Sequence, residues 1–284
     1  MGKRLAAVVV LYHPDSSVPD NIRSYLSSVD LLYIFDNSPS ESRSVVEEFK
    51  GFQNVQYVTN GKNVGLADAL NTVARMALDD RFEYLLTMDQ DSKVDPGMVE
   101  KLAAAGETEI SAGIISPLHI VEDDILPDIS GDTEYVLTAM TSGNLLKLDV
   151  FKKVGGFDGR LFIDYIDHEY CLRLYMNGYK VLRVNSAELL HKVGDLKKRR
   201  FIYFTVHPSY HSPQRWYYQT RNRSYIWKKY GNDFPGYCRA DRWRYIKNFV
   251  KMLVFEDKRM KKLKMICLAR KAFSNDDFSN IPME

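Results

Sequence analysis

The chain has 284 residues, 45% of them hydrophobic and 27% charged, with 16 Gly and 10 Pro, which fits one large domain or two small ones and excludes disordered, collagenous and low-complexity classes. A formal net charge of +2 conceals a split: residues 1–150 carry 11 Lys/Arg against 24 Asp/Glu, and residues 151–284 carry 28 against 13, which suggests two jobs in one chain. Cys171, Cys238 and Cys267 fall in no Cys-x-x-Cys spacing, which argues against a disulfide framework or a Cys-rich zinc site and points to a reducing, cytoplasmic setting.

The first apolar run, LAAVVVLY at 5–12, is eight residues long and is interrupted by His13-Pro14, so it is neither a signal-peptide core nor a membrane span. Residues 5–11 read instead as a strand buried on both faces of a parallel sheet. A helix follows over about 19–28, then a strand at 31–35 that closes on Asp36-Asn37-Ser38-Pro39. The alternation continues with a helix at 41–50, a strand near 54–58, a polar turn at 59–63, a helix from about Leu66 to Leu78 and a strand at 83–88. Strands alternating with helices imply right-handed crossovers and a doubly wound α/β sheet. From about 113 the pattern becomes α+β: a strand GIISPL, an acidic loop at 122–134, a strand near 135–139, and a helix over 164–179 stopped at Gly178. Beyond about 195 the composition shifts to Lys, Arg and aromatics.

In a doubly wound sheet the ligand crevice lies outside the carboxyl ends of the strands. Three predicted strand ends carry polar groups there: Tyr12 and His13 after the first, which ends at Leu11, Asp36 and Asn37 after the second, and Asp89, Gln90 and Asp91 after the fourth. Two carboxylates one residue apart suit Mg²⁺ or Mn²⁺, hard cations that share their shell with substrate phosphates; a turn or helix-cap role before Pro96 is the plainer reading of the same residues. Asp36 has the chemistry to accept the N3–H of a uracil or thymine, or to form an Asx turn capping the next helix. Asn63-Val64-Gly65 fits a helix N-cap with a glycine turn, or helix amides brought near a phosphate or ribose. No GxGxxG follows the first strand and no Walker sequence occurs, which disfavours NAD-type and P-loop sites.

Asp164, Asp167 and Glu169 are three acids within six positions, with Arg173 four residues after Glu169. A carboxylate such as Asp167 at a helix start has the chemistry of a general base toward a hydroxyl, and equally that of an N-cap. His191, after the apolar stretch AELL, reads either as a metal or diphosphate contact or as an ordinary packed or surface histidine.

Taken together, VVVLYHPD, FDNS, NGKNVGLADALN, LLTMDQDS, TSGNLL, VGGFDGRLFIDYIDHEYCLR, LLHKVG and YYQTRNRSYIWKKY resemble the nucleotide-sugar glycosyltransferases of family 2, and within it the bacterial rhamnosyltransferases. The resemblance implies a GT-A fold over residues 1–200, with a nucleotide-sugar half at 1–112 and an acceptor and catalytic half at 113–200, followed by a basic helical region at 201–284. It also implies an inverting, metal-dependent transfer of L-rhamnose from dTDP-rhamnose to a saccharide or lipid-linked acceptor in cell-surface polysaccharide synthesis. By the same likeness Tyr12 contacts the nucleotide, Asp36 reads the base, Asp89 and Asp91 form the metal motif, His191 closes its diphosphate side, and Asp167 is the base. Ser142, Gly143 and Asn144 fall where the acceptor side is built. The family's usual Glu-Asp pair stands here as Ile166-Asp167, which leaves Asp164 or Glu169 to supply the missing acid. A UDP-hexose transferase and a binding module without turnover are the alternatives.

Residues 239–272 hold 12 Lys/Arg against 3 Asp/Glu, with Trp243, Ile246, Val250, Leu253 and Val254 at helical spacing. The pattern predicts a basic amphipathic helix lying on an anionic membrane surface at the inner face of the plasma membrane, or packing its apolar stripe on the catalytic domain. Nucleic acid is disfavoured as a partner because no helix-turn-helix, zinc-finger or RNA-binding signature accompanies the charge. Nothing in the sequence decides between a monomer and a homo-oligomer.

Overall fold

A computed structural model describes residues 4–40, 42–121, 131–191, 199–201, 204–206 and 210–281. Its contacts divide the chain into two compact units, one of Met1–Gly159 with Ile166–Lys192, the other of Arg160–Tyr165 with Val193–Glu284.

In the first unit β1 (Leu5–Leu11), β2 (Leu31–Asp36), β3 (Val55–Thr59) and β4 (Tyr84–Asp89) alternate with α1 (Val18–Leu26), α2 (Arg43–Phe49) and α3 (Leu66–Asp79). They are followed by β5 (Ser92–Val94), α4 (Met98–Thr108), β6 (Ala112–Val121), β7 (Thr133–Val136), β8 (Asn144–Lys147), α5 (Leu148–Val154), α6 (Ile166–Met176) and β9 (Lys180–His191). The sheet runs β3-β2-β1-β4-β8-β6-β9-β5, with β7 also paired to β9. Its first four strands are mutually parallel, β6 is parallel to β9, and β5, β7 and β8 pair antiparallel.

The continuous apolar run of β1 is explained by cover on both faces. Leu5, Ala7, Val9 and Leu11 share a core with α1, α2 and α4. Ala6 and Val8 between them are just as buried, and α3 packs against β1, β2 and β4. Four elements lie in stretches read from the sequence without an assignment: β5, α4, β8 and α5. The strand expected near 135–139 is β7, at 133–136, and the acidic residues 122–130 lie outside the described part.

The second unit contains the hairpin β10 (Arg199–Phe201) and β11 (Phe204–Val206) and the helices α7 (Pro213–Tyr230), α8 (Pro235–Phe255) and α9 (Arg259–Ser274). The single basic helix expected over 239–272 is therefore two helices. The break falls at Glu256–Lys258, where Lys258 takes a left-handed φ of 55° and the fully buried Glu256 accepts a hydrogen bond from Lys262 Nζ at 2.6 Å. Leu253 also leaves the expected stripe and packs with Trp216, Tyr245, Met252 and Ile266. Among the described residues no helix is long and apolar enough to cross a membrane.

Candidate functional site

The register of the parallel strands places their polar ends on one sheet edge: Leu11 lies opposite Asp36, Asp36 opposite Thr59, and Val10 opposite Asp89. Neutral side chains then knit these ends together. Gln90 accepts the Tyr12 N–H on Oε1 at 2.8 Å and returns a bond from Nε2 to the Tyr12 carbonyl at 3.2 Å, while Asn21 Nδ2 donates to the Gln90 carbonyl at 2.9 Å. The Asn37 N–H donates to the Leu11 carbonyl at 2.8 Å, and its side-chain Oδ1 accepts the Val64 N–H at 2.8 Å. His13, with φ of 47°, donates its N–H to Ser38 Oγ at 3.0 Å. Asn63 Oδ1 accepts the Gly65 N–H at 2.9 Å, and Gly65 precedes α3 at φ 86°, ψ 163°, a conformation essentially reserved for glycine.

Asp36 is fully buried. Its Oδ1 accepts the Ser38 N–H at 3.0 Å, and its Oδ2 accepts the Ser42 N–H at 2.7 Å and the Tyr57 hydroxyl at 2.6 Å. The Asx-turn reading of FDNS is thus realised, with Ser42 preceding α2. Burial alone pushes the Asp36 carboxyl up, but the bonds from Tyr57, Ser38 and Ser42 outweigh it and hold the group below the usual carboxylate range. It therefore stays charged at neutral pH.

At the end of β4, the Asp89 N–H donates to Ser142 Oγ at 3.0 Å, and that hydroxyl donates to Ser92 Oγ at 2.8 Å. The Thr87 hydroxyl donates to the Thr141 carbonyl at 2.6 Å, and the Gly143 N–H to the Thr87 carbonyl at 2.7 Å. Ser142, Gly143 and Asn144, expected on the acceptor side, thus form a buried bracket beneath Asp89 instead, because Ser142 and Asn144 are shut from solvent. Gly143 is required there: its φ is 78°, and a Cβ would meet Pro117 Cγ at 2.7 Å and Leu189 Cδ2 at 2.8 Å.

Asp91 is exposed and Asp89 half-buried. The backbone of His191 pairs with Ser92, next to Asp91; the His191 side chain lies outside the described part. Among the described residues no three His, Cys, Asp or Glu gather as a metal cage. An oxygen-only pair at a strand end fits Mg²⁺ or Mn²⁺ nonetheless, since these ions take one or two carboxylates and fill their shell with phosphate oxygens and water.

In α6, Asp167 lies in the first turn, half-buried, with Oδ1 accepting the His168 N–H at 2.8 Å. Glu169, expected to face an acceptor, is instead fully buried. Arg173 grips it from Nε at 3.0 Å and from Nη2 at 2.8 Å, and the same guanidinium donates to the carbonyls of Val154, Gly155 and Gly156 at 2.9, 2.9 and 2.6 Å. The i,i+4 spacing identified the pair, but the two residues serve the packing of the VGGF turn. Asn71 completes that turn with reciprocal 2.8 Å bonds to the Phe157 backbone. Asp164, the other acid assigned to the acceptor, belongs to the second unit and forms an ion pair with Arg215 at 3.0 Å.

Arg221 and Asn222, inside the quoted YYQTRN stretch, are both fully buried in α7, where buried polar groups require hydrogen-bond partners; Arg221 donates to the carbonyls of Arg160 and Ser279 and Asn222 to that of Leu161.

A family model described as glycosyl transferase family 2 matches residues 7–155, just over half of the chain. The dTDP-rhamnosyl transferase RfbF of Shigella flexneri is 26% identical over 247 residues, covering 81% of each chain. Among solved structures, S. aureus TarS 1–349 in complex with UDP-GlcNAc aligns over 99% of this chain and 94% of that one, with a TM-score of 0.61 at 12% identity. GalNAc-T7 with UDP, GalNAc and Mn²⁺ aligns over 96% of this chain with a TM-score of 0.64 at 16% identity; the alignment spans 57% of GalNAc-T7, and a match to a longer TarS chain spans 40% of it. At these identities the structural likeness is one of fold.

Proposed function

Because the chain belongs to glycosyl transferase family 2 and is a glycosyltransferase of GT-A fold, we propose that it moves L-rhamnose from dTDP-rhamnose to a hydroxyl of a saccharide or lipid-linked acceptor in cell-surface polysaccharide synthesis, inverting the anomeric centre. The observation that carries this reading is the knitted edge formed by Leu11–Tyr12, Asp36–Asn37 and Asp89–Asp91, a set of strand ends of the kind a nucleoside diphosphate requires. The choice of dTDP-rhamnose is supported by the likeness to RfbF across 81% of both chains.

In this reading Asp36 and the Tyr12 and Asn63–Gly65 segments hold the nucleoside. Asp89 and Asp91, with His191 beside them, hold the divalent cation, which when bound neutralises charge on the departing diphosphate. Asp167 takes the acceptor proton as the acceptor oxygen attacks the anomeric carbon from the face opposite the leaving group, so a single displacement suffices. Turnover screened across dTDP-, UDP- and GDP-sugars, with and without chelator, tests the assignment. The expected result is dTDP-rhamnose consumption that stops on chelation and returns with Mg²⁺ or Mn²⁺. Preference for a UDP-hexose would replace the donor, and absence of metal-dependent dTDP binding would reduce the protein to another role.

An anionic membrane surface at the cytoplasmic face is the partner proposed for residues 239–272. In α8, Trp243, Ile246, Val250 and Val254 are 62%, 47%, 51% and 48% exposed, and exposed Arg239, Arg242, Arg244 and Lys247 surround them. The sole acid of the helix, Asp241, is buried. An outward apolar stripe flanked only by cations complements anionic headgroups rather than a mixed-charge protein surface. Trp243→Ser combined with Val250→Ser is expected to weaken sedimentation with vesicles containing anionic phospholipid about tenfold, while turnover on a soluble acceptor is unchanged. Equal sedimentation of parent and variant would refute the docking face.

A further inference from the structure

The turn Gln90-Asp91 joins β4 to β5, with Asp89 before it and Ser92 after it. One hydroxyl, from a residue more than forty positions further along the same unit, reaches both ends of this turn. Ser142 Oγ accepts the Asp89 N–H at 3.0 Å and donates its proton to Ser92 Oγ at 2.8 Å. Ser142 and Ser92 are 1% and 0% exposed, so both bonds lie out of reach of bulk water, where a lost partner is not readily replaced.

Ser142 is itself held by its own backbone. His119 Nε2 donates to the Ser142 carbonyl at 2.7 Å. On either side of the serine, the Gly143 N–H donates to the Thr87 carbonyl at 2.7 Å, and the Thr141 carbonyl accepts the Thr87 hydroxyl at 2.6 Å. Pro117 and Leu189 crowd Gly143 so closely that a Cβ has no room there. The segment that carries Ser142 is therefore fixed to β4 and to the neighbouring strands, and the turn must conform to it.

We propose that Ser142 is a positioning residue for the divalent cation, its hydroxyl setting the two ends of the turn that carries Asp89 and Asp91. The inference rests on the assignment of those two carboxylates as the cation's ligands. Its physical basis is that Mg²⁺ demands near-octahedral geometry, so carboxylates on a turn with loosened ends hold it less tightly. Alanine at 142 takes away the acceptor of the Asp89 N–H and the donor to Ser92 together.

Ser142→Ala tests this in the full chain, with Mn²⁺ as the probe. Free Mn²⁺ is followed by electron paramagnetic resonance as it is titrated into protein with saturating dTDP, against a protein-free baseline and well below the thermal midpoint of every variant. The Mn²⁺ dissociation constant is expected to rise about 10–100-fold, the scale on which groups that orient metal ligands act, while kcat at saturating Mn²⁺ stays within about tenfold of the parent. Ser92→Ala removes one of the two bonds and is expected to raise the constant about threefold to tenfold; it decides the matter if Ser142→Ala does not fold. A rise of less than about threefold in Ser142→Ala, or of less than about twofold in Ser92→Ala, would overturn the inference. So would a larger fall in kcat at saturating Mn²⁺, which marks general damage. Asp91→Asn separates the two levels. If it binds Mn²⁺ as the parent does, the cation assignment and this inference both fall; if it loses Mn²⁺ while Ser142→Ala keeps the parent's constant, this inference alone falls.

Discussion

Asp167→Asn is expected to lower kcat by about 10³-fold, within the range a general base supplies, while dTDP binding and the thermal midpoint stay close to the parent. The amide keeps the shape of the carboxylate and an oxygen able to accept the His168 N–H, but it cannot take a proton from the acceptor hydroxyl. Loss of a negative charge from the first turn of α6 costs only about 0.3–1 kcal/mol of helix stabilisation, too little to explain a 10³-fold effect through folding. The measurements are steady-state kcat, calorimetric dTDP titration and a thermal scan on one preparation. Near-normal turnover would remove Asp167 from the role. The neighbouring acids do not offer an easy substitute: Glu169 is committed to Arg173 and Asp164 to Arg215. Ile166, standing where the resembling family has its glutamate, is buried and apolar.

Glu169→Ala is the substitution with the largest expected effect on stability, about 3–5 kcal/mol. The loss arises from what stays behind: a mostly buried guanidinium stripped of its counter-charge. Arg173→Met alone is also expected to destabilise, because the Glu169 carboxylate and the carbonyls of residues 154–156 lose their donor together. The double variant Glu169→Leu, Arg173→Met should recover much of the pair term but not the carbonyl bonds, so it should fall between the parent and the single variants. Denaturant midpoints with an unchanged slope would report this as stability rather than as altered compactness. A loss below about 1 kcal/mol for Glu169→Ala would place the pair with solvent-exposed ion pairs.

The legible parts of the molecule are those where local sequence and tertiary role agree. The unbroken apolar run at 5–11 announced a strand covered on both faces, and the polar strand ends announced the edge they share. FDNS allowed two readings, and the structure realises the Asx turn. Less legible were elements of three or four residues. NLLK is too short for its period to distinguish a strand from the start of a helix, and SKV in β5 is defined only by its partner β9. Glu169 was misread because an i,i+4 acid–base pair looks the same in sequence whether it faces water or a turn of backbone carbonyls. The split between α8 and α9 escaped for a related reason: helical periodicity runs through 256–258, and only the buried Glu256–Lys262 pair and the left-handed Lys258 break it.

Apart from the buried Asp36 carboxylate, which joins Ser38, Ser42 and Tyr57, the side chains that tie the strand ends together, Gln90, Asn37, Ser38, Asn63, Ser142 and Thr87, are uncharged. Direct hydrogen bonds between neutral, mostly shielded groups are little affected by counterions, whereas interactions of exposed charges are screened within about 10 Å at 0.1 M salt. The cradle should therefore keep its shape as ionic strength rises, and any salt sensitivity of this enzyme would belong to the charged molecules that visit it.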